Sequence, residues 1–427
     1  MTKLDLNVDV HHLARVEGHG NIHVRVKQGA LQEARWDVVE TPRFFEVMLK
    51  GKHYTSASLL TSRICGICSI AHSLTSLEAT EAALGLEPPP LAHRLRLLAK
   101  HGETLQSHYL HLFFLAAPDF LGLPSAVPLL EKNPEVVDVA RRLKGLANDL
   151  CDAVAGRTTH PVAFKVGGVA ARPPRPALLA LRDRLARSAE DLSAAAGLFA
   201  SFELPDFERE TEFVALAGTA EEGYPFIGRR MASTDGVEKG RDDYLAMTNE
   251  FVDGNNTSKW CRLSRDAFAV GALARFNVNA AGIRPEAREV AGRLGLTPVC
   301  HNPFMNNVAQ LVECVHCTHE SIRLIDEIAD DGGELSVDVT PRAGAGVGVV
   351  EAPRGILYHH YEYDDDGRIV RANCVIPTTQ NNRNIHLDLG ALVQKLAGEE
   401  GMTDARLELL CSMLVRAYDP CISCSVH

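Results

Sequence analysis

The chain has 427 residues, 46% of them hydrophobic, enough to bury a large core without disulfides or a structural metal. Any metal it binds is therefore expected to be functional. Its 44 basic and 55 acidic residues leave a net charge of −11 with no basic cluster, which argues against nucleic acid as a partner. No run of about 18 apolar residues occurs, and the N-terminus lacks a basic segment followed by an apolar one, so a soluble, cytoplasmic protein without a membrane span is expected. Eleven cysteines is an odd count for a disulfide framework and favours reduced thiols or metal ligands.

In chain order, residues 5 to 40 alternate apolar and polar side chains, as in Ile22-His23-Val24-Arg25-Val26, with breaks at Gly18, Gly20 and Gly29. This predicts strands and turns. From Leu91 the spacing of Leu95, Leu98, Leu105, Tyr109 and Leu112 is helical, and the pattern recurs near 135–155, 176–200 and 305–329. Residues 345–376 return to strand-like Val/Ile runs. Thr403-Asp404 then caps a last helix with Leu407, Leu410, Leu414 and Ala417 on one face. With no linker, low-complexity tract or repeat, residues 1–427 read as one domain with insertions.

Two segments stand out. Arg63-Ile64-Cys65-Gly66-Ile67-Cys68, followed by His72, places a C-x-x-C before a predicted helix; Asp419-Pro420-Cys421-Ile422-Ser423-Cys424, followed by His427, repeats the spacing. Two thiolates so spaced can converge on one metal. Four together suit zinc, an iron–sulfur cluster or a nickel-containing centre, and cysteine count does not choose among them. A single such pair is as readily two small buried side chains, but two near-copies weaken that alternative. A third pair, Cys314 and Cys317, lies on a helical stripe with Val308, Leu311, Val315, Ile322 and Ile325 and reads as packing. Cys151, Cys261, Cys300, Cys374 and Cys411 stand alone and read as structural.

With their flanks, both pairs resemble the two signature motifs of nickel–iron hydrogenase large subunits, R-x-C-G-x-C-x-x-x-H and D-P-C-x-x-C-x-x-H. The resemblance extends to Arg15-Val16-Glu17-Gly18-His19, Phe45-Glu46, His160-Pro161, Gly167-Gly168, Glu351-Ala352-Pro353-Arg354-Gly355 and Pro377-Thr378-Thr379, and so spans nearly the whole chain. It looks most like the cytoplasmic, multimeric group coupled to NAD(P) or another soluble carrier. The fold it implies is α+β: mainly helical, with a central helical bundle, small peripheral sheets and the cysteine pairs meeting in the buried middle.

The resemblance implies that Cys65 and Cys421 are terminal nickel ligands and that Cys68 and Cys424 bridge nickel to an iron carrying carbonyl and cyanide. Dihydrogen then splits heterolytically at an open position between the metals. Glu17 matches the glutamate that relays the proton outward; unaided by its motif it would read as a surface charge in a Gly-rich turn. Arg354 matches an arginine above the metals and Asp419 the acid that holds it, where the plain readings are a salt bridge and a turn before proline. Pro377 and Thr378 match the segment cradling a diatomic ligand of iron. His72 is expected to donate a hydrogen bond to a sulfur rather than to ligate. Glu46, His427 and the Cys374 carbonyl match a buried site for magnesium or another divalent ion. Where several family members carry an aspartate near the centre, this chain has Ser107 followed by His108, so the surrounding hydrogen bonds are expected to differ.

The partners implied are an iron–sulfur small subunit, since the chain shows no cluster-binding cysteine series of its own, and flavin- or NAD(P)-binding diaphorase subunits. The resemblance further implies a precursor tail removed after His427. Two rivals remain open at this point: a relative of the quinone-site subunit of respiratory complex I, which lacks the four cysteines, and a structural zinc protein, which gives Glu17, Glu46, Arg354 and His427 no role.

Overall fold

The computed structural model describes residues 5–219 and 221–427. Three strands, β1 (Leu6–Val10), β2 (Gly20–Lys27) and β3 (Ala30–Val38), form an antiparallel meander. The alternation turns Leu6, Val8, Ile22, Val24 and Val26 inward. At the β2–β3 hairpin Gln28 and Gly29 both take positive φ, as a two-residue type I′ turn requires.

Helices follow: α1 (Phe45–Leu49), α2 (Ser69–Leu84), α3 (Pro90–Leu110) and α4 (Pro134–Ala155). A π turn over His111–Ala116 extends α3. Pro118 lies just beyond it and has no N–H to give the Phe114 carbonyl, which disfavours a regular α turn there. The expected helical stretch at 176–200 forms as two helices, Arg175–Arg187 and Ala189–Ala200, and the Ser188 hydroxyl donates back to the Leu185 carbonyl at the break. A small sheet with strands at Glu212–Leu216, Arg230–Ser233, Glu238–Gly240 and Phe268–Ala269 interrupts the helical middle and was not expected. Then come α5 (Ala272–Asn279) and α6 (Asn306–Ile328), the antiparallel strands β4 (Gly344–Ala352), β5 (Gly355–Tyr363) and β6 (Ile369–Val375), and α7 (Pro377–Leu396) and α8 (Asp404–Ala417). The architecture is the expected α+β one, mainly helical with small sheets. No helix among the described residues is long and apolar enough to cross a membrane.

The contact that orients the centre of the molecule is α2 lying along β4. A Cβ on Gly344, Gly346 or Gly348 would lie 2.3 Å from the Ala83 carbonyl oxygen, 2.2 Å from the Ala83 nitrogen and 2.1 Å from the Thr75 carbonyl oxygen respectively. Glycine at alternate strand positions thus bares one face of β4 so that helix backbone can rest on it. Gly344 meets the C-terminal end of α2 and Gly348 its earlier half, so strand and helix run in opposite directions. The end of β4 therefore arrives at the N-terminus of α2. There Ala352 pairs with Gly355 across a two-residue turn made by Pro353 and Arg354, and Gly355 takes φ 134°, a value open to glycine alone.

Gly346→Ala should cost about 2–3 kcal/mol, because its Cβ meets backbone that cannot swing aside. Gly145, in α4, has nothing within 4 Å of an added Cβ. Gly145→Ala should be neutral or stabilise by up to about 1 kcal/mol. Thermal or denaturant unfolding of the two variants checks the contrast.

Candidate metal centre

The two cysteine pairs meet at the N-terminus of α2. Cys68 is the residue preceding that helix and Cys421 the residue preceding the single turn Ile422–Ser425. In each pair the three-residue spacing brings both sulfurs to the shared site. The Cys65 and Cys421 sulfurs lie 3.5 Å apart and those of Cys68 and Cys424 3.9 Å apart. All four sulfurs lie within 4.8 Å of one another, and all four residues are buried. Among the described residues no other group of three or more His, Cys, Asp or Glu side chains converges in this way. Cys314 and Cys317 are buried within α6, where burial pushes both thiols well above their ordinary range.

Backbone donors shape the site. Cys65 Sγ accepts from the N–H groups of Ile67 and Cys68, each at 3.3 Å. The Cys421 N–H donates to the Thr378 hydroxyl at 2.9 Å. Thr378 and Pro377 open α7 and are buried. Contacts with the Cys421, Cys424 and Cys68 sulfurs draw the Cys65 thiol well below its ordinary value, whereas burial pushes Cys421 and Cys424 well above theirs. Four thiolates cannot share so small a dry volume without cations among them. The donors are soft sulfurs, which suit nickel and iron.

The fixed cation nearby is Arg354, 4% exposed. Its Nε donates to the Asp419 carbonyl at 2.7 Å, Nη2 to Asp419 Oδ1 at 2.8 Å and Nη1 to the Ser107 hydroxyl at 3.4 Å. Asp419 takes φ 49°, tolerable for aspartate, so its backbone carbonyl and carboxylate grip one guanidinium. The turn carrying Arg354 is held in place by Arg275 on α5, which donates to the carbonyls of Ala352 at 3.0 Å and Pro353 at 2.9 Å. Arg275 itself pairs with Glu313 at 2.6 Å and Glu351 at 2.9 Å.

Glu17 sits on the outer side of the second pair. Its carbonyl accepts from Ile422 N at 2.9 Å, and its carboxylate accepts from the N–H of Ser423 at 3.1 Å and from the Ser423 hydroxyl. Gly18 permits this approach, since a Cβ there would come within 2.7 Å of Ile422. Glu46, Cys374 and His427 also meet. Glu46 accepts from Cys374 N at 2.7 Å, and His427 Nε2 lies 3.5 Å from Glu46 and 2.6 Å from the Cys374 carbonyl. Burial opposes ionisation of Glu46, yet His427 and the Cys374 N–H hold its carboxyl below the usual value.

His72 departs from expectation in its partner: its Nδ1 faces His359 Nε2 at 3.2 Å and no hydrogen bond to a cysteine sulfur is present among the described residues. His359 in turn contacts the Tyr361 hydroxyl at 2.7 Å. Burial lowers the His72 pKa to about 4, so its ring is neutral. Ser107 and His108 occupy different settings, the first on Arg354 and the second 2.8 Å from Glu313.

Other contributors carry no motif. Glu103 on α3 accepts from the N–H groups of Ile70 at 2.7 Å and Ala71 at 3.0 Å, with Lys100 3.2 Å away. It thereby caps the helix that follows Cys68. Their only trace in sequence is a Lys/Glu pair spaced by three within an apolar helix. Arg43 donates through one nitrogen to the carbonyls of Ile64, at 2.6 Å, and Ser423, tying the residue before Cys65 to the residue before Cys424. No pattern around Arg43 announces this.

A model of the family described as nickel-dependent hydrogenase matches residues 43–144 and 240–427. The chain belongs to that family. Sulfhydrogenase 2 subunit alpha of Pyrococcus furiosus is 32% identical over 98% of both chains. NAD-reducing hydrogenase HoxS subunit beta of Cupriavidus necator is 28% identical, over 97% of this chain and 93% of the relative. The crystal structure of an NAD+-reducing [NiFe]-hydrogenase in its H2-reduced state superposes with a TM-score of 0.87 at 30% identity, covering 99% of each chain. The protein is accordingly a nickel–iron hydrogenase, an oxidoreductase acting on dihydrogen, and the buried sulfur cluster fits a nickel–iron centre. A structural zinc protein and a complex I relative lacking the four cysteines are both set aside.

Replacing Cys65, Cys68, Cys421 or Cys424 by alanine should deplete nickel and abolish hydrogen uptake, because each change removes a donor from a four-sulfur set. Cys314→Ala and Cys317→Ala should keep their nickel. Elemental analysis beside a hydrogen-uptake assay reads both outcomes.

Proposed function

We propose that this chain oxidises dihydrogen reversibly at a centre held by Cys65, Cys68, Cys421 and Cys424, and passes the electrons through an iron–sulfur small subunit to a soluble carrier such as NAD(P). The observation that carries this reading is the meeting of four buried sulfurs within 4.8 Å beside an arginine gripped by Asp419. By similarity to the family, Cys65 and Cys421 would serve as the terminal nickel ligands and Cys68 and Cys424 would be shared with an iron bearing carbonyl and cyanide; the Cys65–Cys421 and Cys68–Cys424 sulfurs lie 3.5 and 3.9 Å apart. When bound, that centre supplies an open position at which dihydrogen splits heterolytically.

The chain's own residues do the rest. Arg354 presents a planar cation, fixed before substrate arrives, that polarises the splitting without reorganising. A cysteine sulfur takes the proton. Glu17, whose backbone pairs with Cys421 and whose carboxylate rests on Ser423, receives it and passes it outward. The Thr378 hydroxyl accepts from Cys421 N–H and keeps its own hydrogen to donate to a diatomic ligand, with Pro377 shaping the same wall. Glu46, His427 and the Cys374 carbonyl would hold magnesium or another divalent ion, an oxygen-and-imidazole set suited to a hard cation. His72 acts on the site through its packing and its neutral ring rather than as a ligand. Similarity to the NAD-reducing relatives supports flavin- and NAD(P)-binding diaphorase partners, and with them a cytoplasmic location.

Arg354→Lys keeps the charge and loses the fork, so turnover should fall about 10- to 100-fold with nickel and iron retained. Full turnover would remove Arg354 from the site's chemistry. Glu17→Gln should assemble normally and keep its carbonyl and cyanide infrared bands, yet lose most steady-state oxidation and most exchange between deuterium gas and water. Exchange at the wild-type rate would place the proton exit elsewhere.

A further inference from the structure

Asp419 grips Arg354 with only part of its hydrogen-bonding capacity. Its second oxygen, Oδ2, accepts from Gln310 Nε2 at 3.2 Å. Gln310 Oε1 lies 2.6 Å from His111 Nδ1, and His111 Nε2 lies 2.7 Å from the carbonyl of Arg416. That carbonyl also takes the N–H of Asp419 at 2.8 Å. The chain of contacts therefore leaves Asp419 by its side chain and returns to it by its backbone. Gln310 and His111 are each 1% exposed and Asp419 2%, so water does not compete for these groups.

Donor accounting orients the whole loop. A carboxylate and a carbonyl can only accept. With its amide nitrogen on Asp419, Gln310 must turn its oxygen to His111; the reverse orientation would set that oxygen against a carboxylate oxygen. His111 then presents Nδ1 to that oxygen and Nε2 to the Arg416 carbonyl. Its place at the start of the π turn matters, since that turn shifts the helix backbone between His111 and Ala117 out of the regular α repeat.

We propose that Gln310 and His111 are positioning residues for hydrogen activation: they fix the rotation of the Asp419 carboxylate and, through it, the guanidinium of Arg354. Neither touches the reacting atoms. A carboxylate held on one oxygen only can swing about its terminal bond, whereas one held on both oxygens and on its backbone N–H cannot. The inference rests on the role given above to Arg354.

The test is a set of variants at Gln310 read against Arg354→Lys. Gln310→Glu keeps the size of the side chain and an acceptor for His111, but replaces the donor to Asp419 by a second carboxylate. Gln310→Met keeps the length and removes both hydrogen bonds. Either should lower kcat at least about fivefold while KM for hydrogen changes less than about twofold, because the loss falls on activation rather than binding. Nickel and iron contents should match wild type, and the carbonyl and cyanide infrared bands should move. Gln310→Glu combined with Arg354→Lys should be no slower than Arg354→Lys alone, since both act on one guanidinium.

Wild-type kcat with unmoved bands in whichever Gln310 variant folds, or additive losses in the double variant, would overturn the proposal. If Gln310→Glu is fully active while Arg354→Lys is slow, only this inference falls. If Arg354→Lys is itself fully active, the reading of the site falls with it.

Discussion

Everything at the centre of this protein depends on backbone touching backbone between α2 and β4. Three glycines at alternate strand positions remove the side chains that would hold helix and strand apart at the usual distance between layers. The result is a rigid joint in which the start of one element and the end of the other come together. Cys68 precedes the helix and Arg354 lies in the turn after the strand. The distance between soft donors and fixed cation is therefore set by main chain, which moves less than side chains do.

Charge is the second constraint. Four sulfurs, several carboxylates and two arginines are buried close together, and a dry interior makes each charge costly unless matched. The structure matches them in closed sets. Arg275 answers Glu313 and Glu351 while its remaining donors hold the carbonyls on either side of Pro353. Arg354 answers Asp419. Glu103 answers Lys100 and the first N–H groups of α2. Among the described residues the sulfur cluster has Arg354 as its nearby fixed cation, and a multiply charged metal centre would complete the set. Removing one member of a set leaves its partner buried and unmatched, which costs more than the pair contributes to stability.

Much of the fold was legible in sequence because it is written in local periodicity. The spacing from Leu91 to Leu112 foretold α3, the pattern at 305–329 became α6, and Thr403-Asp404 marked the start of α8. The alternation at 22–26 became β2. What escaped was structure without a local period: the mixed sheet around Glu212–Leu216, whose first strand also pairs in parallel with the distant Phe268–Ala269, and the break at Ser188, where a hydroxyl competes with the helix for a carbonyl. The GxGxG run of β4 carried meaning only once the helix lying on it was known.

The site divides along the same line. Ligand chemistry resides in side-chain identity at short spacing, so Cys65, Cys68, Cys421 and Cys424 declared a metal-binding type without any coordinates, and their flanks declared the family. Pairing across hundreds of residues has no such local trace. Only tertiary structure showed that Arg43 ties the two cysteine segments together, that Arg275 holds the turn of Arg354, that Glu103 caps the helix after Cys68, and that His72 turns to His359. Each of these depends on where a long side chain ends after the backbone has folded, and a hydrogen bond is decided by tenths of an ångström that sequence spacing does not encode.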